Sequence, residues 1–261
     1  MELSLANTQK AETFTGIFQH LKIFTEHVNL QLSSDKLYIQ GMDSSHVSIY
    51  EVSIPAAWFD KFEGLKDKSV SLGINTNIFF KILAAREKTQ TLNIAYDDSK
   101  DDDKLFVHFL DGKEKNDFAQ HFEIPLVELT TDILHIPDIE YQAEFSLSSV
   151  KISAIVNRLK MFGDIMNIVC TEQKITISSE DHNTGKMNVE INIEELSSYA
   201  IEEGRDIILY YSLNYISNIC MFNKLSSEVE ISLSEDYPMK MNYVIGENAN
   251  MCFYLAPKAA E

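Results

Sequence analysis

Residues 138 apart follow one hydrophobic plan through most of this chain, and that internal repeat constrains the fold more than any other feature. His20-Leu21-Lys22-Ile23-Phe24 lies against Arg158-Leu159-Lys160-Met161-Phe162. Asn29 lies against Asn167, Lys36 against Lys174 and Asp43 against Asp181. The offset then falls to 137, so that Leu72 faces Leu209, Ile82 faces Ile219 and Ile94 faces Ile231. Between the copies runs PLVELTTDILHIPDIEY, Pro125 to Tyr141, with no clean period and a proline near each end. Proline resists both a helix interior and a central strand, so this stretch reads as a crossing linker. The expected organisation is an N-terminal domain over 1–124, a linker over 125–141 and an equivalent domain over 142–261.

Each half reads as strand, helix, several strands, helix, several strands. Phe14, Ile17, Phe18, Leu21 and Phe24 recur at helical spacing and predict a helix over 11–27; Ile152, Ile155, Val156, Leu159 and Phe162 predict one over 149–162, with Gly163 as its C′ residue. Shorter helices are expected over 77–86, where Asn75 and Thr76 are good caps, and over 213–223. Strand is in excess and mostly antiparallel, with two helices per half on one face of the sheet. The fold class is α+β.

No apolar run approaches the roughly 20 residues that span a bilayer, so no membrane role is expected. The N-terminus lacks a basic-then-apolar leader, which points to an intracellular protein. Cys170, Cys220 and Cys252 are odd in number, sit among apolar residues and show no C-x-x-C spacing, so they read as reduced thiols rather than disulfides or zinc ligands. Nucleotide loops, H-E-x-x-H and G-x-S-x-G are all missing. Asp97, Asp98 and Asp101 to Asp103 lack the glycine and distal glutamate of a calcium loop, and read as a solvated hairpin tip. The chain reads as a non-enzyme that needs no cofactor and no metal.

The formal net charge of -18 argues against a nucleic-acid partner until its distribution is considered. The four helical stretches (11–27, 76–88, 149–162 and 213–224) carry Lys22, Lys81, Arg86, Lys88, Lys151, Arg158, Lys160 and Lys224 against Glu12, Glu26 and Glu87. That surplus of five leaves -23 for the rest. One reading is a basic helical face that meets phosphates while the remainder repels them. The other is that Lys and Arg simply favour solvated helix faces.

Met42-Asp43-Ser44-Ser45-His46-Val47-Ser48, Leu134-His135-Ile136-Pro137 and the ending Tyr254-Leu255-Ala256-Pro257-Lys258 closely resemble the proliferating cell nuclear antigen family of DNA sliding clamps. The resemblance covers the whole chain. It implies a DNA-clamp fold, closed as a homotrimeric ring of six similar domains around duplex DNA and held there without reading sequence. It implies that the ring tethers DNA polymerase and other replication and repair proteins, and that a separate ATP-dependent clamp loader opens it. Residence would be nuclear, or wherever viral DNA is copied. Carried over by motif, the partner-peptide pocket between linker and C-terminal segment is lined by Met42, His46, Val47, Ile49, Leu134, Ile136, Tyr141, Pro238, Tyr254, Leu255, Ala256 and Pro257. Read without the family, Met42, Val47 and Leu255 are ordinary core strand residues. The DNA-facing set is Lys22, Lys81, Lys151, Arg158, Lys160 and Lys224, and the subunit contact holds Phe122, Gly185 and Met187.

The chain also departs from the family. Thr15, Gly16, Ala84, Ala154, Asn157, Asn214 and Met221 stand where basic inner-face residues are usual. Glu172 occupies the place of the ubiquitin-acceptor lysine, with Lys174 two residues on. Alternatives to the homotrimeric clamp are therefore a partner-binding scaffold of the same fold that does not encircle DNA, and one subunit of a heterotrimer. A metal-dependent nuclease built on Asp101 to Asp103 ranks last.

Overall fold

A computed structural model describes residues 1–64, 69–97, 103–110, 118–130 and 133–259. The chain divides into two compact units. The first holds Met1–Ser44, Glu51–Leu134 and Ile245–Asn250; the second holds Ser45–Tyr50, His135–Val244 and Met251–Glu261.

The first half runs β1 (Glu2–Leu5), α1 (Thr8–Leu21), β2 (His27–Leu32), β3 (Lys36–Met42), β4 (Ser48–Pro55), β5 (Lys61–Glu63), β6 (Val70–Asn75), α2 (Thr76–Leu83), β7 (Thr91–Ala95), β8 (Lys104–Leu110) and β9 (Gln120–Pro125). The second runs β10 (Ala143–Ser148), α3 (Ser149–Leu159), β11 (Ile165–Cys170), β12 (Lys174–Asp181), β13 (Gly185–Asn192), β14 (Ser198–Ile201), β15 (Ile207–Ser212), α4 (Leu213–Ile219), β16 (Glu228–Leu233), β17 (Met239–Gly246) and β18 (Ala249–Leu255). In the first half β5-β1-β7-β8-β9 form one sheet, and β4-β3-β2-β6 are consecutive in another. In the second, β14-β10-β16-β17-β18 and β13-β12-β11-β15 repeat both orders. β2 and β11 begin and end 138 residues apart, whereas β4 and β13, and β6 and β15, do so 137 apart. The register slip therefore lies between β3 and β4.

Side-chain alternation builds the cores. Leu3, Leu5, Leu92, Ile94, Leu105, Val107 and Phe109 point inward from the first sheet and are almost wholly buried. Above them α1 and α2 meet through Phe14, Phe18 and Phe79, with the Phe18 and Phe79 rings 4.7 Å apart and edge-on. In the second unit Ile152, Val156 and Leu159 of α3 and Ile216 and Ile219 of α4 are buried. The Tyr243 hydroxyl donates to the Ile219 carbonyl at 3.2 Å, which satisfies a polar group in the core.

All four helices have boundaries that differ from the sequence expectation, α2 ending at Leu83. α1 begins at Thr8, because the Asn7 side chain accepts the Gln9 and Lys10 amides and starts the helix before the apolar period does. It ends at Leu21, where the Ile23 and Phe24 amides turn back to the His20 and Leu21 carbonyls. α3 ends at Leu159, so Gly163 is not its C′ residue. The glycine there is instead demanded by close approach, since a Cβ would lie 2.9 Å from the Glu180 carbonyl oxygen. α4 gives way at Cys220 to a 3-10 turn over Cys220–Lys224. Asn75 caps α2 as expected, accepting from Asn77 and Ile78. β5 and β14 are short strands that the sequence pattern missed.

Candidate functional site

The linker is held by side-chain amides reaching its backbone. The Val127 N–H donates to the Gly73 carbonyl at 2.8 Å, and Asn29 Nδ2 donates to the Leu129 carbonyl at 3.3 Å. Gln40 then takes both polar groups of Leu134: its Oε1 accepts the Leu134 N–H at 2.7 Å and its Nε2 donates to the Leu134 carbonyl at 2.9 Å. Glu51 steadies that amide, accepting from Gln40 Nε2 at 3.1 Å. Gly73 leaves room for the crossing, because a Cβ there would sit 1.9 Å from the Val127 carbonyl oxygen. So fixed, the linker presents apolar side chains to solvent, with Ile133 58% and Leu134 40% exposed.

In the second unit the Ala256 N–H donates to the Val47 carbonyl at 3.2 Å, which ties the C-terminal segment to the stretch preceding β4. His46 stands exposed with φ 57°, a left-handed turn residue leading into that stretch. Met42, Val47, Ile49, Ile136, Tyr141, Tyr254 and Pro257 are half-buried, and Pro238 and Ala256 are exposed. Leu255, 1% exposed, packs into the core. Burial pushes the Tyr141 hydroxyl up to about 12, helped by Cys252, Glu144 and Asp138, so it stays a neutral donor.

Among the helix cations, Lys81, Lys151, Arg158, Lys160 and Lys224 are exposed and Lys22 is half-buried. Lys22 Nζ lies 4.1 Å from the centre of the Phe80 ring, a cation–π contact at the end of α1. Lys81 and Arg158 lie in the last turns of α2 and α3, and Lys160 caps α3, places where positive charge also complements the helix dipole. Other helix cations are spent internally. Arg86 Nη1 donates to the Glu87, Lys88 and Gln90 carbonyls. Lys88 pairs with Glu12 at 3.1 Å, and Lys10 with Glu247 at 2.7 Å. The same helices expose Ile78, Val150 and Met221.

β9 and β13 each end a sheet order. Phe122 on β9 is half-buried, its ring 5.1 Å from that of Phe109. Gly185 opens β13 with φ 94°, and Met187 is half-buried. Cys170, Cys220 and Cys252 are buried and form no disulfide among the described residues. Burial pushes the Cys170 and Cys220 thiols up to about 12, which suppresses the reactive thiolate. Of the aspartate tip, Asp98, Asp101 and Asp102 lie outside the described residues. Among the described residues, no three His, Cys, Asp or Glu gather as metal ligands and no helix is long and apolar enough to cross a membrane.

The family model for the N-terminal domain of proliferating cell nuclear antigen matches residues 3–134, and the model for its C-terminal domain matches 135–258. The chain belongs to the proliferating cell nuclear antigen family. It is 24% identical over 260 residues to the proliferating cell nuclear antigen of Chaetomium thermophilum, covering 98% of each chain. It is 26% identical over 258 residues to that of Dictyostelium discoideum, covering 97% of this chain and 98% of the relative. The fold is the clamp fold, and the chain is a DNA sliding clamp, a scaffold without catalysis of its own.

Within this clamp the residues that the sequence pattern did not connect with the linker are Asn29, Gln40, Glu51 and Gly73. All four are polar or small residues on strands, where alternation gives them no distinction. Their role appears only when a segment far along the chain lies across them.

Proposed function

We propose that this clamp closes with two further copies of itself into a ring around duplex DNA. There it tethers DNA polymerase and other proteins that carry clamp-binding peptides. The observation that carries the reading is the pair of open edges, interpreted through the repeat. β18 is the second-half counterpart of β9, and β4 is the first-half counterpart of β13. The chain leaving β18 already bonds the chain entering β4, through Ala256 and Val47. The same pairing between copies, β9 of one against β13 of the next, would bury Phe122 and Met187 around Gly185. It would hide two edges that otherwise invite aggregation. A subunit of two equivalent halves then gives a ring of sixfold appearance from threefold symmetry.

Lys22, Lys81, Lys151, Arg158, Lys160 and Lys224 would contact phosphates without reading bases. The domains are 1–124 and 142–261, with 125–141 as the linker. Partner peptides anchor on Met42, His46, Val47, Ile49, Leu134, Ile136 and Tyr141, and on Pro238, Tyr254, Ala256 and Pro257. An ATP-dependent loader opens the ring, and it works in the nucleus. Light scattering of the pure protein should give about 90 kDa, three times the 29.8 kDa chain. Loaded rings should stay on closed circular DNA and run off linear DNA. A 30 kDa species that acquires ring mass only with sister subunits would replace the homotrimer by a heterotrimer.

The exposed Ile78, Val150 and Met221 favour one second reading, a partner-binding scaffold that does not encircle DNA. Changing Lys22, Lys81, Lys151 and Arg158 together to Ala should abolish loading and sliding in a ring and leave such a scaffold unaffected.

A further inference from the structure

Strand alternation sorts β8 and β9 into two faces. Leu105, Val107 and Phe109 of β8 and Ile124 of β9 are buried in the core. Phe106 and His108 therefore stand on the outer face of the sheet, with His121 and Glu123 beside them. The ladder sets His108 directly opposite His121, and Phe106 opposite Glu123. Across that pair the two Nδ1 atoms lie 2.8 Å apart, with His108 half-buried and His121 exposed.

Two neutral imidazoles can share one hydrogen bond at this distance, and a metal ion can replace its proton. The surroundings suit the second use. Both rings come from paired strands, and the Phe106 ring stacks against His108 with centres 6.3 Å apart and planes 18° apart. A ligand ring already held in place loses little freedom when an ion arrives. The nearby carboxylates are engaged: Glu123 with Lys104 at 2.8 Å, and Glu2 with Lys61 at 2.8 Å and Asn93 Nδ2 at 2.6 Å. The donor set is therefore two neutral nitrogens.

The spacing selects the kind of ion. Metal–imidazole bonds of roughly 2.0–2.1 Å to nitrogens 2.8 Å apart enclose an angle of about 86°. Neighbouring positions of a square-planar or tetragonal ion, the geometry of copper(II) and nickel(II), stand at about 90°. A tetrahedral zinc ion with the same bond lengths needs its nitrogens about 3.3 Å apart. On binding, the proton shared between the Nδ1 atoms leaves, and Nε2 of the ring that carried it takes one up. Both rings stay neutral, and both Nδ1 lone pairs are released to the ion once the exposed His121 ring turns toward it.

We infer that His108 and His121 bind one divalent ion of the copper(II) or nickel(II) kind through their Nδ1 atoms, with water in the remaining positions, and that the ion pins β9 to β8. β9 ends its sheet order, so β8 is its one strand partner among the described residues. The site lies within a single subunit and stands whether or not the ring closes. Because β9 is also the edge assigned to ring closure, the ion sets how firmly that edge is presented.

The test uses the full chain, purified without a histidine tag, stripped with EDTA and titrated calorimetrically with copper(II), nickel(II) or zinc(II). One copper per chain is expected, with nickel bound at least as tightly as zinc. The copper complex should give an axial electron paramagnetic resonance spectrum with nitrogen splitting. His121→Ala, at an exposed position, and His108→Asn should each weaken copper by about a hundredfold, the gain from a second ligand already in place. With metal at about 100 times its dissociation constant, amide exchange over 120–124 should slow about a hundredfold while β16 is unaffected, since opening β9 parts the two ligands. Absence of a saturable site, copper affinity indifferent to His121→Ala, zinc bound more tightly than nickel, or β9 exchange unmoved by metal would overturn the proposal.

Discussion

Gln40 holds Leu134 by both backbone groups, at 2.7 and 2.9 Å, across 94 residues of sequence. The pairing turns an otherwise irregular segment into a fixed one, and it lets Leu134 stay exposed without the backbone around it being free to collapse. Gln40→Ala should therefore free the Leu134 end of the linker. Two hydrogen bonds at about 0.5–1.5 kcal/mol each predict local opening easier by about 1–3 kcal/mol. Amide exchange at Leu134 should rise by a matching factor while exchange in β8 stays constant, and unchanged Leu134 exchange would refute the anchor.

Gly73 makes the complementary prediction. A methyl group placed 1.9 Å from the Val127 carbonyl oxygen cannot be accommodated unless the linker lifts. Gly73→Ala should destabilise the protein by about 1–3 kcal/mol in denaturant titrations, as overpacking does. Tyr210, its counterpart, should tolerate substitution by Phe with no comparable loss.

Basic residues on the helices should affect DNA and leave stability alone. Lys81 and Arg158 are exposed, so Lys81→Ala with Arg158→Ala should shift unfolding by no more than about 0.5 kcal/mol for each. DNA binding should weaken uniformly across sequences, and the slope of its logarithm against log salt should fall by about 0.9 per lost phosphate contact. Arg86→Ala should do the reverse: its guanidinium serves three carbonyls of its own chain, so stability should drop.

A pH dependence follows from His108 on β8. Its imidazolium is disfavoured by burial first and by the charge of His121 second, with Glu2 opposing. The two Nδ1 atoms lie 2.8 Å apart, directly across the strand pair, and Asn93 stands opposite on β7. With its folded pKa below the unfolded value of about 6.5, the unfolded chain binds more protons in the window between the two. Stability should thus be full above about pH 6.5 and fall as pH drops toward the folded value. In urea titrations from pH 7.5 to 5, His108→Asn should flatten this decline, and an unaltered decline would remove His108 as its cause.

The repeat, the helix faces and the Asn75 cap were open to reading along the chain because each is a local pattern, whereas the Asn7 cap was not foreseen and Gly163 proved not to be the C′ residue of α3. Phe14, Ile17, Phe18 and Leu21 share one side of a helix by their spacing alone, and Asn75 caps α2 through its own neighbours. The copying of β2, β3, β6 and α2 by β11, β12, β15 and α4 follows from spacing as well, with the slip of one residue placed between β3 and β4. What spacing could not reveal is which polar side chains meet distant backbone. Gln40 and Gly73 look like any residues on half-exposed strands until Leu134 and Val127 cross them. Arg86 and Lys88 count as free charges until the carbonyls and Glu12 around them are in place. Charge and amide partners act over a few ångströms of space, and only the folded chain brings Gln40 and Leu134, 94 positions apart, within that reach.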